Sequence, residues 1–475
     1  MNRLFMGACL RIALVLLFVG FAVDGDAQYV RTTYFMDGSQ YRLQLNPALA
    51  PSRGYIHLPV IGQTNASFYS NALGVDDVVD LLKNADDADY YTTDKFVSKL
   101  VDRNTAVINA GTDLLSVGHW VGRSFVSFNI GVRADGNITV PRQLFSFMRD
   151  MKGMNTNDYS NYMADLSNEE LFMNTYAEVG LGYTRLIGDR VSIGGRLKGL
   201  VGLGNVQLKV GKAVVRTNLE GIDPNTDWTE VGFDELMDAQ GTAQIDVDAE
   251  LITSCKGLVL ETNSEGYIDD MDFKTNKMGF SGFGGALDFG VAVDVTDALT
   301  LSAAITDLGF ICWTKGSTQV AYANSDELTY NSEIPGDISR FVGVVGSGKA
   351  LNWDMVRLTP DASAAKSRTT TLASTLAVGG EYRLLDDKLS VGALYTNRFA
   401  KPENKSEVTL SVAAHPSTLL DFAISYSPVM CGGSSFGVAM KLGPLFLGTD
   451  YMYLGKNTKC CNAQVGLSIP LRTMD

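Results

Sequence analysis

The chain lacks what would make most other readings available. Beyond residue 23 it has no apolar run approaching the roughly 20 residues that a membrane-crossing helix needs. If the protein sits in a membrane, helices do not put it there. The remaining possibility is a closed β-barrel, since lipid leaves no water to satisfy free backbone groups. Positive charge is scarce too: 39 Lys and Arg stand against 53 Asp and Glu, a net charge of −14. That balance disfavours a polyanion-binding surface, so nucleic acid is not an expected partner. Proline is sparse at 12, and the 48 glycines are spread through apolar-looking segments rather than gathered in linkers. Disorder and collagen are both poor readings of that pattern. Histidine is limited to His57, His119 and His415, with no nucleophile motif beside any of them, so an enzyme is not expected.

What is present begins with an export leader. Arg3 and Arg11 supply basic character, Ile12 to Val23 form a short apolar core, and Gly25-Asp26-Ala27 puts small residues at −3 and −1 of a cleavage site. Residues 1–27 are therefore expected to be a signal peptide and Gln28 the start of the mature chain. A membrane anchor is the rival reading, but the apolar core is too short to span.

The body alternates with period two. Leu372, Ser374, Leu376, Val378, Gly380 and Tyr382 fall on one face, opposite Ala373, Thr375, Ala377, Gly379 and Glu381. Leu420, Phe422, Ile424 and Tyr426 repeat the pattern, as do Val465, Leu467, Ile469 and Leu471. A soluble sandwich alternates as well. Three details favour lipid: the second face is mostly Gly, Ala, Ser and Thr with single charges, Tyr and Phe recur near strand ends, and short turns alternate with long connections. Short turns fall near His119–Gly122, Gly188-Asp189, Thr296-Asp297, Asp386-Asp387, Pro416-Ser417 and Gly443-Pro444. Long connections fall near 75–104, 136–174, 214–279 and 311–368. With every short turn placed on the periplasmic side, upward strands run at about Ile56–Asn71, Phe125–Ala134, Val191–Leu203, Leu299–Phe310, Leu389–Phe399, Leu419–Tyr426 and Leu445–Tyr453. Downward strands run at Ala106–Val117, Thr175–Leu186, Leu287–Val295, Thr371–Leu384, Val408–His415, Phe436–Leu442 and Asn462–Leu471. The expected fold class is thus all-β, a transmembrane antiparallel barrel of about fourteen strands in the bacterial outer membrane, with short periplasmic turns and long extracellular loops. Residues 28–54 precede it and 55–475 form it. Helix-like pieces are expected in the loops at Val78–Leu82, Phe96–Val101 and Pro141–Met151, and a strand-like piece at Ala243–Ile252.

Two local features carry a resemblance. Asn46-Pro47-Ala48 stands just before the first strand, and Asp307-Leu308-Gly309-Phe310-Ile311-Cys312-Trp313 follows the seventh. Both resemble outer-membrane barrels of the FadL type, and are closest to uncharacterised relatives that include the barrel partners of type IX secretion. The resemblance implies fourteen strands, an N-terminal hatch carrying the Asn-Pro-Ala element, and passage of hydrophobic solutes through the barrel and out of a gap in its wall near the hatch. It transfers no pocket residues, because the external loops match no family pattern. The chain also ends in Arg472-Thr473-Met474-Asp475 rather than a terminal aromatic.

Charges expected to face the lumen are Arg133, Glu178, Arg196, Lys198, Asp288, Asp294, Glu381 and Arg383. They read either as a structural ion-pair network or as a ligand path in which Arg196 and Lys198 receive a carboxylate. Cys255, Cys312, Cys431, Cys460 and Cys461 fall at external loops, where disulfides Cys255–Cys312 and Cys431 with Cys460 or Cys461 are candidates. No metal-ligand spacing supports a metal site, and no cofactor is expected. Val342–Ala350 imitates a phosphate-binding loop, but Ala350 stands where Ser or Thr is required. The acidic run Asp76, Asp77, Asp80, Asp86, Asp87 and Asp89 reads as a solvated loop or as a calcium bridge to lipopolysaccharide. Expected partners are outer-membrane lipid and lipopolysaccharide, a hydrophobic small molecule, or an envelope protein. Two functions stay open: passive uptake of hydrophobic or amphipathic small molecules, and a non-transporting scaffold or secretion accessory.

Overall fold

The computed structural model describes residues 30–57, 62–84, 90, 93–153, 162–220, 240–324, 329–337, 357–400, 404–417, 419–430, 433–451 and 458–473. Along the chain, β1 (Arg53–His57) and β2 (Gln63–Ser70) together make the first wall strand. Helices Val75–Lys83 and Asp94–Val97 fill the first outer connection, before β3 (Arg103–Val121) and β4 (Ser124–Pro141). A helix over Arg142–Gly153 and the short β5 (Tyr162–Asp165) lead to β6 (Glu169–Ile187) and β7 (Val191–Glu220). Outside the wall come β8 (Gln240–Cys255), β9 (Leu258–Thr262) and β10 (Ile268–Phe273), then the wall strands β11 (Gly282–Asp294) and β12 (Leu299–Trp313). β13 (Thr318–Asn324), β14 (Thr329–Asn331) and β15 (Thr359–Pro360) lie outside again, and β16 (Arg368–Thr371) with β17 (Ser374–Leu384) form one wall strand in two pieces. The wall continues through β18 (Leu389–Phe399), β19 (Lys405–Ser417) and β20 (Leu420–Met430). It ends with β21 (Gly433–Leu442), β22 (Leu445–Thr449) and β23 (Cys460–Thr473).

Every wall strand pairs antiparallel with its neighbours, and the ring closes where β1 and β2 pair with both β23 and β3. Among the described residues that makes fourteen strands, in the places the alternation predicts. The faces are those of a lipid-embedded barrel. On β6, Val179, Leu181 and Tyr183 point outward and are exposed, whereas Glu178 beside them is buried. On β11 the same holds for exposed Leu287 and Phe289 around buried Asp288. A water-soluble sheet would reverse that order. The greasy belt and the internal charges identify an outer-membrane barrel.

Two departures from regularity matter. β7 is 30 residues long, while about 9–11 residues suffice to cross the membrane. It does not end near Leu203, the expected end of the strand, but continues outward, pairing β8 from Gly204↔Cys255 to Glu220↔Gln240. β8 in turn pairs β13 and β14. This outer sheet packs its apolar face with Phe96, Phe145 and Phe147 from the loop helices into a core of its own, including Leu208, Ile245 and Leu251. The helix expected at Pro141–Met151 is present, and the one expected at Phe96–Val101 ends at Val97. Secondly, the first wall strand is broken. Ile56 faces Val117 and Gln63 faces Asp113 on β3, so seven positions advance on one side against four on the other.

Candidate functional site

Residues 30–50 lie inside the barrel and are almost entirely buried. Period-two logic cannot hold such a segment, which has only two short 3-10 turns, Arg31–Thr33 and Gln40–Gln44. It is held by side chains reaching to and from the wall. Asp450 accepts from the backbone N–H groups of Arg31 and Thr32, each at 2.9 Å. The Arg31 guanidinium pairs with Glu407 and lies 3.4 Å from Asp450. Gly38 N donates to Asp421 at 2.8 Å, and Lys441 donates to the Gly38 carbonyl. The Tyr34 hydroxyl lies 2.9 Å from that of Ser302.

The Asn-Pro-Ala element is the corner of this plug. Asn46 Oδ1 accepts from Ala48 N at 2.9 Å, closing a turn on itself, and its amide donates to the Tyr34 hydroxyl at 3.0 Å. The Pro47 carbonyl accepts from Thr184 at 2.6 Å and the Ala48 carbonyl from Ser192 at 2.7 Å. Room for the corner is made by missing side chains: a β-carbon on Gly290 would lie 2.0 Å from Asn46 Oδ1. Gly379 and Gly392 likewise seat the rings of Tyr34 and Phe35. The surplus of glycine in apolar strands thus has a local purpose, one that the spacing of the glycines alone does not reveal.

The plug also brackets the broken strand. Gln40 Nε2 lies 3.2 Å from His57 Nε2 on one side of the break. On the other side the Tyr41 hydroxyl donates to the Gly62 carbonyl at 3.0 Å, and the Gln44 amide donates to Gln63 at 2.7 Å.

The charges expected in the lumen are for the most part paired. Arg133 lies between Asp113 at 2.6 Å and Glu178 at 2.7 Å. Lys198 bridges Asp288 at 2.8 Å and Asp307 at 2.6 Å, with Arg196 3.9 Å from Asp288. Arg383 meets Asp294 at 2.9 Å, and Glu381 is buried beside the plug. Four further members escape the alternation: Asp113, Asp307 and the pair Arg398 and Asp135, 3.0 Å apart. Asp307 sits at a bulge with φ of 58°, where the register between β11 and β12 slips and its N–H donates to Asp288 at 2.7 Å. An open aqueous pore would wet such groups, yet Arg133, Glu178, Arg196, Lys198 and Asp288 are all buried. Beside this belt Tyr176, Leu200, Ala286, Ile311, Trp313 and Leu372 form an apolar patch on the lumen side.

The Cys255–Cys312 disulfide is not formed: both are free thiols. Cys255 ends β8 in the buried outer core, while Cys312 stands between the buried Ile311 and Trp313 and so faces out of the wall. Cys460 and Cys461 are adjacent on β23, and Cys431 lies outside the described residues, as do Val342–Ala350 and Asp86, Asp87 and Asp89. Of the acidic run, Asp77 accepts from Gly74 N and pairs with Lys99. No group of three or more His, Cys, Asp or Glu able to hold a metal occurs among the described residues.

In outline the chain is similar to the toluene transporter TbuX of Ralstonia pickettii, at 8% identity and a TM-score of 0.43, covering 94% of this chain and 99% of that one. The P. putida toluene transporter TodX gives 9% identity and a TM-score of 0.40, covering 94% and 99%. The translocator domain of the autotransporter NalP from Neisseria meningitidis gives 9% and 0.32, covering 88% and 89%. No curated protein matches the chain in sequence. The family of unknown function DUF5723 matches residues 47–450, which is most of the wall together with the plug's corner, and the chain belongs to that family.

Proposed function

We propose that the barrel is a passive, gated conduit for apolar or amphipathic small molecules, with residues 30–50 as the gate. The observation that carries this reading is the bracketing of the broken first strand by Gln40, Tyr41 and Gln44. A shift of the plug removes its contacts on both sides of the break, which gives a solute a way into or out of the membrane without crossing water. Two features support it. The plug pairs with no strand of the wall among the described residues, so releasing it breaks individual contacts rather than a ladder: neutral hydrogen bonds worth about 0.5–1.5 kcal/mol each and bonds to charged groups worth about 1.5–3 kcal/mol each. The buried cluster around Trp313 makes the lumen side apolar next to the charged belt.

The test is uptake of the hydrophobic probe 1-N-phenylnaphthylamine by liposomes containing the barrel. A variant carrying Gln44→Cys and Gln63→Cys, in a background with the native cysteines replaced by serine, should take up the probe when reduced and lose uptake when oxidised. Equal uptake by oxidised, reduced and barrel-free liposomes would sink the proposal.

A second reading, a scaffold working through its outer surface, is favoured by the separately packed core above β7. It predicts that a specific envelope protein co-purifies from gently solubilised membranes, and that removing residues 240–275 abolishes that association. A strictly solitary barrel counts against it.

A further inference from the structure

Three connections meet at the outer rim of one wall sector. Lys256-Gly257 turns β8 into β9, residues 274–281 lead from β10 into β11, and residues 314–317 lead from β12 into β13. They are tied into one surface. Lys274 N donates to the Gly257 carbonyl at 2.8 Å and Lys256 N to Ser281 Oγ at 2.9 Å. The Ser281 carbonyl accepts from Thr314 N at 2.9 Å and from Ser317 Oγ at 2.7 Å.

In a chain of net charge −14, these connections hold Lys256, Lys274, Lys277 and Lys315 and no acidic residue. Lys256, Lys277 and Lys315 are exposed and make no ion pair among the described residues. Lys274 is only loosely engaged, 3.6 Å from Glu261 and 3.9 Å from Asp272. Directly beneath lies the top of the greasy belt. Phe280 and Phe283 are 59% and 56% exposed with ring centroids 6.3 Å apart, and Phe310 and Leu308 continue the surface downward on β12. Aromatic rings belong at the boundary between acyl chains and headgroups, and amines placed just above that boundary stand at the depth of headgroup phosphates.

We propose that this collar is a binding site for a phosphorylated outer-leaflet glycolipid, with acyl chains along Phe283 and Phe310 and a phosphate among Lys256, Lys277 and Lys315. Three amines on three separate turns surround the phosphate as point charges rather than gripping it in a planar fork. The aromatic surface below supplies what a free phosphate cannot use. The site needs no movement of the plug and is independent of any transport.

Full-length barrel in non-ionic detergent is titrated with diphosphoryl lipid A and with the same lipid after dephosphorylation, and bound lipid is counted by native mass spectrometry. Each lysine near an anionic headgroup is worth roughly a fivefold preference. The triple variant Lys256→Gln, Lys277→Gln and Lys315→Gln should therefore bind diphosphoryl lipid A about 100-fold more weakly. Lys388→Gln, at a short turn on the opposite side of the membrane, should bind it as the parent does. Millimolar inorganic phosphate should not displace the lipid. Folding of each variant is read from its heat-modifiable gel mobility, and the three single variants, each expected to lose about fivefold, serve if the triple fails to fold. Undiminished binding by the variants, equal binding of the dephosphorylated lipid, an equal loss in Lys388→Gln, or displacement by free phosphate would each overturn the proposal.

Discussion

Gly194 and Pro47 meet backbone to backbone: a β-carbon on Gly194 would stand 2.1 Å from the Pro47 carbonyl oxygen and 2.3 Å from its carbon. Neither is the end of a flexible side chain, so a larger residue at 194 has to displace the corner of the plug. Overfilling a packed site costs about 1–3 kcal/mol, comparable to the few hydrogen bonds at Pro47 and Ala48. In Gly194→Val, hydrogen exchange across residues 40–50 should rise about 5- to 150-fold while the barrel keeps its heat-resistant mobility. Unchanged exchange would show that the close approach is absent.

Arg133 lies between two buried carboxylates, those of Asp113 and Glu178. Arg133→Met removes the ion-pair partner that both share and should destabilise the barrel by about 3–5 kcal/mol, measured by guanidinium unfolding in micelles. Adding Asp113→Asn and Glu178→Gln should recover most of that loss. If the triple variant is as weak as the single one, packing rather than charge is at stake.

Asp307 combines a left-handed backbone with an ion pair to Lys198. Asparagine tolerates that backbone and valine does not. Both Asp307→Asn and Asp307→Val lose the charge, but valine should cost about 1–2 kcal/mol more in the same unfolding measurement. Equal losses would remove the bulge from the account.

Cys255 and Cys312 should differ sharply towards a lipid-permeant maleimide. Burial pushes the Cys255 thiol up to about 11, so at pH 8 about one molecule in a thousand is the reactive thiolate. Labelling there should rise only as the pH approaches 11 or on unfolding. Cys312 is exposed and should label at pH 8 in the folded barrel, as read by mass spectrometry of variants keeping one cysteine each. Equal labelling would contradict the burial of Cys255.

The wall is legible in the sequence because lipid imposes its rule residue by residue. Leu420, Phe422, Ile424 and Tyr426 face out, and Asp421 and Ser425 between them are buried, just as their order in the chain suggests. The plug is legible only as a short motif. No periodicity links Pro47 to Gly194 or Tyr34 to Gly379, since those meetings depend on which strand stands across the lumen. Asp307 escapes notice as a partner of Lys198 because one extra residue at a bulge shifts the count of faces. The outer sheet reads as a large insertion because β7 keeps its alternation after leaving the membrane, and only its length shows where the surroundings change. The suggested bridge from Cys255 to Cys312 fails for a similar reason: nearness along the loops says nothing about which side of a sheet each sulfur faces.

That unusual length of β7 has a mechanical consequence. From Val191 to Glu220 a single strand joins the membrane wall to the outer sheet, interrupted only by register slips opposite Thr175–Tyr176 and between Val210 and Lys212. A pull on Arg216, far above the surface, is carried as tension down covalent bonds to Leu197 in the bilayer. Whatever grips the tip therefore tugs on the cylinder itself, because the exterior piece and the wall share one strand.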